Sequence, residues 1–257
     1  MKYFAFSDVH SSYDAMINAL DKAGYDMNNS SHKLIFLGDA FDKGKKPVET
    51  FLFLKQQIEK DKLIWILGNH DLTLRNSILS RKQADEVKDT MVSICHHYHN
   101  SVKKNTNFGY ICKILKEIGL LEILLFKTVD YFETEKFVFT HGFIPTLNGK
   151  YCESWRKLNS KKWNNSRARN GNGVKNVLVN GIKIPNKTLV CGHVGAYFGR
   201  IIVDHPEVDI ATSEFNKLLS VYIKNNDNYK TFISDDVINL DANAYRTGFV
   251  NVLVIDE

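Results

Sequence analysis

Residues 34–44 read Leu-Ile-Phe-Leu-Gly-Asp-Ala-Phe-Asp-Lys-Gly. Four apolar residues give way at once to a glycine and then to two carboxylates, Asp39 and Asp42. A short apolar run without alternation reads as a strand buried on both faces, and the polar stretch behind it as the turn at its carboxyl end. The pattern recurs on both sides. Tyr3–Phe6 leads into Ser-Asp-Val-His (7–10), and Leu63–Leu67 into Gly-Asn-His-Asp (68–71). Phe137–Phe139 leads into Thr-His-Gly (140–142), and Leu189–Cys191 into Gly-His-Val-Gly (192–195).

Helical spacing separates the first three runs. Ala15, Met16, Ala19, Leu20 and Ala23 follow it behind Ser12, a candidate N-cap. Pro47 suits the first turn of a second helix reaching about Lys60. Strand–helix–strand–helix–strand predicts parallel strands with right-handed crossovers, and ligands in such sheets sit beyond the carboxyl ends of the strands. All five polar turns are there. The stretch from Asp71 to Phe137 is mostly helical by pattern, with segments at Arg81–Tyr98 and Tyr110–Leu125. It reads as a cap or insertion beside the site. Leu219–Ile223, Tyr229–Ile233 and Asn251–Ile255 read as strands of a second, largely antiparallel sheet packed on the first.

With 257 residues, 44% hydrophobic and 25% charged, the chain has the composition of a globular protein with its own core. No apolar run reaches the roughly 18–20 residues that span a bilayer. The start, MKYFAFSDVH, lacks the apolar region and cleavage site of a signal peptide. Cys95, Cys112, Cys152 and Cys191 form no close pair, which points to reduced thiols and a cytoplasmic location. The net charge of +5 is concentrated. Between Lys150 and Lys187, Glu153 is the sole acid among many lysines and arginines, a segment suited to phosphate esters, nucleic acid or acidic peptides, or simply a solvated surface.

The turns supply Asp8, His10, Asp39, Asp42, Asn69, His70, Asp71, His141 and His193. Buried charges of one sign are costly without a counter-charge, so carboxylates gathered at one sheet edge imply a cation. Oxygen and imidazole donors without thiolate suit manganese, iron or zinc better than a soft metal.

These blocks, in this order and with about 30 residues between the first three, resemble those of the calcineurin-like metallophosphoesterases. The resemblance spans Asp8 to His193, about three quarters of the chain. It is closest to the serine/threonine phosphoprotein phosphatase branch of bacterial and phage type, which also contains diadenosine-tetraphosphate hydrolases. Gly195 stands where many other metallophosphoesterases have a final histidine. The resemblance implies an α/β fold, a β-sandwich of two mixed sheets flanked by helices. It implies one such domain over residues 1–257, with a helical insertion at about 72–130. It also implies two divalent ions, manganese foremost, with iron or zinc as the other candidates. Asp8 and His10 would bind the first ion, Asp39 both, and Asn69, His141 and His193 the second. A hydroxide shared by the ions would attack phosphorus in line. His70 would protonate the leaving oxygen and Asp42 would orient His70. Asn69 and Lys43 would also contact phosphate.

Three positions depart from the family pattern. Lys43 replaces an arginine and lacks its bidentate fork. Ser11 replaces a glycine. Asp71 replaces the glutamate usual in protein phosphatases and leans towards the dinucleotide hydrolases, whereas Asp42 leans away from them. A second phosphate-binding arginine is expected between the last two histidine blocks. Trp163-Asn164-Asn165-Ser166-Arg167 resembles a stretch in bacterial members, which nominates Arg167, with Arg169 second. The tail Leu240–Val254 resembles their closing segment, an aspartate and a tyrosine ahead of a strand, and would return a turn towards the metals. Cys95, His96, His97 and His99 read as an exposed helical face rather than a metal site, and Trp155 and Trp163 as packing.

Three functions compete. The first is a metal-dependent phosphatase acting on phosphoserine or phosphothreonine protein or a related phosphomonoester. The second is a dinucleoside polyphosphate hydrolase of diadenosine-tetraphosphate type. The third, a non-catalytic nucleic-acid-binding module, has no use for His70 beside Asp42 and shows no matching signature. The expected partner is therefore a phosphorylated protein or a nucleotide, with neither membrane nor nucleic acid.

Overall fold

The computed structural model describes all residues, 1–257. β1 (Lys2–Phe6), α1 (Tyr13–Lys22), β2 (His32–Phe36), α2 (Pro47–Glu59) and β3 (Leu63–Ile66) follow one another as expected. Pro47 opens α2 with a fixed φ and no N–H to leave unpaired. α3 (Asn69–Ser80), α4 (Asp85–Tyr98), α5 (Phe108–Glu117) and α6 (Leu120–Phe126) lead to β4 (Thr128–Val129), β5 (Phe132–Glu133) and β6 (Phe137–Phe139). Beyond them come α7 (Ser160–Asn165), α8 (Gly173–Leu178), β7 (Thr188–Cys191), α9 (Tyr197–Asp204) and α10 (Ser213–Tyr222). The chain closes through β8 (Phe232–Ile233), β9 (Val237–Asn239), α11 (Ala244–Thr247) and β10 (Leu253–Asp256). No helix is long and apolar enough to cross a membrane.

The strands form two five-stranded sheets, ordered β10-β1-β2-β3-β4 and β5-β6-β7-β9-β8. β1 to β4 run parallel and β10 pairs antiparallel with β1. Their alternating side chains feed two cores. Ala5, Ile35 and Ile66 face inwards and meet Phe139, Val190 and Ile238 of the second sheet. Phe4, Phe6, Leu34, Phe36 and Trp65 face outwards into a larger core shared with α1 to α6. The strands read as unbroken apolar runs because both faces are covered. The helices of residues 72–130 therefore share the outer core of the first sheet.

Several expectations are corrected. The second sheet is mixed, not largely antiparallel: β6, β7 and β9 are parallel, and β5 and β8 pair antiparallel at its edges. The strand expected there at Asn251–Ile255 belongs to the first sheet instead, as β10 beside β1. Leu219–Ile223 lies mostly in α10, whose Thr212 side chain accepts from Phe215 N. That cap starts a helix across a segment that composition alone reads as strand. Asn225 caps a 3₁₀ turn at Asn226–Tyr229, leaving only Phe232–Ile233 extended there. Arg81, at φ 55°, ends α3, so the next helix starts at Asp85. Gly119, at φ 85°, splits the predicted 110–125 helix into α5 and α6. Ser12 stands at the N-cap of α1 without a capping hydrogen bond from its side chain. All four cysteines are free.

Candidate active site

The turns after β1, β2, β3, β6 and β7 are laced together by main-chain bonds and by main-chain N–H groups that donate to the Asp8 and Asp39 carboxylates. Asp8 N donates to Gly38 O at 3.0 Å, His10 N to Asp39 O at 3.0 Å, and Gly192 N to His141 O at 2.8 Å. His193 N donates to Asp8 Oδ2 at 2.9 Å and His70 N to Asp39 Oδ1 at 2.9 Å, so each carboxylate is fixed by a neighbouring turn. Asp8, His10, Asp39, Asp42 and His193 all have φ between 44° and 72°. Non-glycine residues adopt such angles at a cost, and their clustering marks a constrained functional edge. Two glycines allow the approach. A Cβ on Gly68 would lie 2.2 Å from Asp39 Oδ1, and one on Gly192 would lie 2.2 Å from Asp8 Oδ2.

Asp39 is the hub. Its Oδ2 lies 3.7 Å from His10 Nε2 and 3.5 Å from His141 Nε2. Each imidazole is held from behind. His10 Nδ1–H donates to Phe41 O at 2.8 Å and His141 Nδ1–H to Leu37 O at 2.7 Å. That fixes the tautomer and turns Nε2 into the site, as in metal-ligating histidines. Asn69 Oδ1 lies 2.8 Å from His141 Nε2, an oxygen acceptor facing an imidazole nitrogen. A proton or a cation must stand between them. Two groups of three side chains bring their ligand atoms within 4.8 Å of one another: His10, Asp39, His70 and Asp39, His141, His193. Buried and half-buried carboxylate, carboxamide and imidazole donors of this kind fit a pair of hard-to-intermediate divalent ions sharing Asp39.

The electrostatics agree. Burial pushes Asp8 and Asp241 up, each further raised by a neighbouring carboxylate. Burial also opposes charge on Asp39, but His141 and His10 hold its carboxyl well below the usual range. Burial works against charge on His141, yet Asp39 and Asp8 raise it to about 9. His10 and His193 are lowered to about 4, chiefly by burial. The site is a pocket of mutually dependent charges, in which a cation would relieve the carboxylates.

The eight predicted metal and acid–base residues therefore meet at one edge, with one difference in grouping. His70, not Asp8, shares the ligand-range cluster with His10 and Asp39; Asp8 Oδ2 is occupied by Ser7 Oγ and His193 N. His70 Nδ1 also lies 2.9 Å from Asp42 Oδ2. Lys43 Nζ donates to His10 Nε2 at 3.1 Å and lies 5.1 Å from the centre of the Tyr245 ring.

The arginines behave otherwise. Arg167 is exposed, in a left-handed turn, and is not among the residues lining the site cavity. Arg169 is 2% exposed and is tied to Leu67 O, Asp130 and Asn164. It braces the turn that carries Asn69 and does not face a substrate. Asp71 is likewise internal, accepting from Asp39 N, Ala40 N, Gly68 N and Trp65 Nε1 at 3.0–3.1 Å. Trp155 and Trp163 are buried against Tyr131. His96, His97 and His99 are exposed, and His96 Nδ1–H donates to Val102 O at 2.9 Å. Cys95, expected on the same exposed face, is instead buried in the outer core, its Sγ 3.6 Å from Ile111 O.

A cavity of about 240 Å³ opens over the hub, and Tyr197, Asp241, Asn243 and Tyr245 complete its wall. The likeness of the tail to a closing segment points to this turn without assigning its residues a role. Thr90 was missed altogether. From α4 its hydroxyl donates to Asp42 Oδ1 at 2.9 Å, a contact between residues 48 apart in the chain.

The sequence profile of the calcineurin-like phosphoesterases matches residues 1–229. The chain is 36% identical over 76 residues to a bis(5'-nucleosyl)-tetraphosphatase (asymmetrical) of Bacillus velezensis, covering 27% of this chain and 30% of that protein. It is 34% identical over 76 residues to the Bacillus subtilis protein of the same name, covering 27% and 31%. The match thus spans under a third of the length of these relatives. Among solved structures, a mutant of a cold-active protein tyrosine phosphatase superposes with a TM-score of 0.53 at 15% identity, covering 100% of this chain and 75% of that one. That likeness is one of fold. With the profile match over most of its length and the strand-end site in place, the chain belongs to the calcineurin-like phosphoesterase family, hydrolases of phosphoric esters.

Proposed function

We propose that the protein hydrolyses dinucleoside polyphosphates at a dinuclear site, with manganese the first metal to test. Asp39 would be held in common by the two ions, with His10 and Asp8 as the further ligands of one and Asn69, His141 and His193 of the other. Bound divalent ions supply Lewis-acid polarisation of a phosphoryl oxygen and an acidified water. The chain's own groups do the rest. Lys43 offers a positive charge to the non-bridging oxygens. His70, oriented by Asp42, hands a proton to the departing oxygen. The observation that carries the nucleotide reading is Tyr245, a residue 47% exposed on the cavity wall, with Lys43 Nζ 5.1 Å from its ring centre. An aromatic face next to a phosphate-binding cation suits a base attached to a polyphosphate. The two Bacillus relatives support the same substrate class.

A second reading, hydrolysis of a phosphomonoester such as phosphoserine or phosphothreonine protein, is favoured by the His70–Asp42 pair. An alkoxide is a poor leaving group and needs a proton, whereas a nucleotide phosphate leaves readily without one. Turnover of diadenosine tetraphosphate, a phosphothreonine peptide and p-nitrophenyl phosphate by manganese-loaded protein separates the two. The dinucleotide reading expects the highest kcat/KM for diadenosine tetraphosphate, with ATP and AMP as products. A phosphopeptide turned over at least tenfold better would reverse the order.

A further inference from the structure

A second cavity, of about 340 Å³, adjoins the first and shares Lys43 and Tyr245 with it. Its walls are the start of α1, the loop 43–46 and the turn around α11. That loop is pinned to the Asp8–His10 turn: Gly44 N donates to His10 O at 2.8 Å and Lys46 N to Ser11 O at 3.1 Å. The cavity is therefore held against the catalytic edge. Lys43, Lys45 and Lys46 line it, against one carboxylate, Asp14, which pairs with Lys46 at 2.7 Å. Ser11 also lines it, and its Oγ is buried without any hydrogen-bond partner. A buried hydroxyl left unpaired is costly and calls for a partner. Tyr13 and Tyr245 add aromatic surface. The volume is in the range of small-ligand sites, roughly 300–1,000 Å³.

From this geometry we propose that the second cavity binds the departing nucleoside polyphosphate half of the substrate, a subsite distinct from the metal edge. The phosphates lie along Lys43 and Lys45, Ser11 Oγ donates to a phosphate oxygen, and the base stacks on Tyr245. The assignment rests on the dinucleoside polyphosphate reading. It also gives Ser11 a use, since a glycine there would offer no donor.

The test is calorimetric binding of ADP and of inorganic pyrophosphate to the full, chelator-stripped chain, so that the readout is independent of turnover. Tyr245→Ala should weaken ADP roughly tenfold and leave pyrophosphate unchanged, and Tyr245→Phe should restore ADP binding. Lys45→Glu, at an exposed position, should weaken both ligands. ADP affinity unchanged in both Tyr245→Ala and Lys45→Glu would overturn the subsite. Equal weakening of ADP and pyrophosphate by Tyr245→Ala would overturn the stacking assignment. The two proposals fail separately. Binding as described without turnover of diadenosine tetraphosphate refutes the substrate reading and leaves the subsite standing. Turnover with ADP indifferent to both variants does the reverse.

Discussion

Asp42 holds His70 through one carboxylate oxygen and Thr90 through the other, at 2.9 Å each. A turn of the first sheet and a helix of the 72–130 region thus jointly aim one imidazole. Burial opposes protonation of His70, but the Asp42 hydrogen bond and the Asp39 charge raise its pKa above the ordinary value. A raised pKa and a fixed orientation suit the proposed role of His70, carrying a proton to the leaving oxygen.

His70→Gln should accordingly lower turnover of alkyl phosphates by about 10²–10⁴. The loss should be much smaller with p-nitrophenyl phosphate, whose leaving group needs little protonation. Rate constants against a series of leaving-group pKa values check this. A uniform loss across the series would assign His70 to metal binding, which its position near His10 and Asp39 also permits.

Thr90→Val removes the hydroxyl that steadies Asp42 and adds no bulk. Turnover should fall about tenfold through misdirected His70, with metal content unchanged, on the scale of one lost buried hydrogen bond. Restoration by Thr90→Ser would identify the hydroxyl as the cause.

The two arginines should separate sharply. Arg169→Ala removes a buried guanidinium from Leu67 O, Asn164 and the half-buried Asp130, which keeps only Ser160 Oγ on its other oxygen. Breaking a buried pair costs up to about 3–5 kcal/mol. Thermal and denaturant unfolding should show that loss. Arg167→Ala, at an exposed position, should stay within about 0.5 kcal/mol of the parent. Its turnover should remain within about threefold, on the same expectation for surface changes. A hundredfold loss of turnover with full stability would return Arg167 to the phosphate site.

Gly192→Ala places a methyl group against Asp8 Oδ2 and Ser7 Oγ. If Asp8 is a ligand as proposed, displacing its carboxylate in this way should weaken metal binding by about 10–100-fold, the scale seen when a ligand's support is lost. Equilibrium dialysis against manganese measures it.

The first sheet was legible because β1, β2 and β3 are covered on both faces, so each appears as an uninterrupted apolar run ending in a polar turn. The site was legible for the same reason: Asp8, Asp39, Asn69, His141 and His193 stand directly behind those runs. What escaped notice depends on contacts remote in sequence. Thr90 reaches Asp42 from another element, and Asp241 meets Asp8 only when the last turn folds back. Arg169 looked like a ligand for phosphate because its charge is visible in sequence and its burial beside Asp130 is not. The α10 segment misled because Leu, Val, Tyr and Ile suit strand and helix alike, and the deciding signal was the Thr212 cap.

Asp39 is proposed to lie between two metal ions, and Asp42 to hold His70 without touching either ion. Manganese content after dialysis of the metal-loaded protein, Asp39→Asn and Asp42→Asn tests this division of roles most directly. Two ions per chain are expected in the parent and in Asp42→Asn, and loss of both in Asp39→Asn. An Asp39→Asn protein that keeps both ions, or equal losses in the two variants, would contradict it.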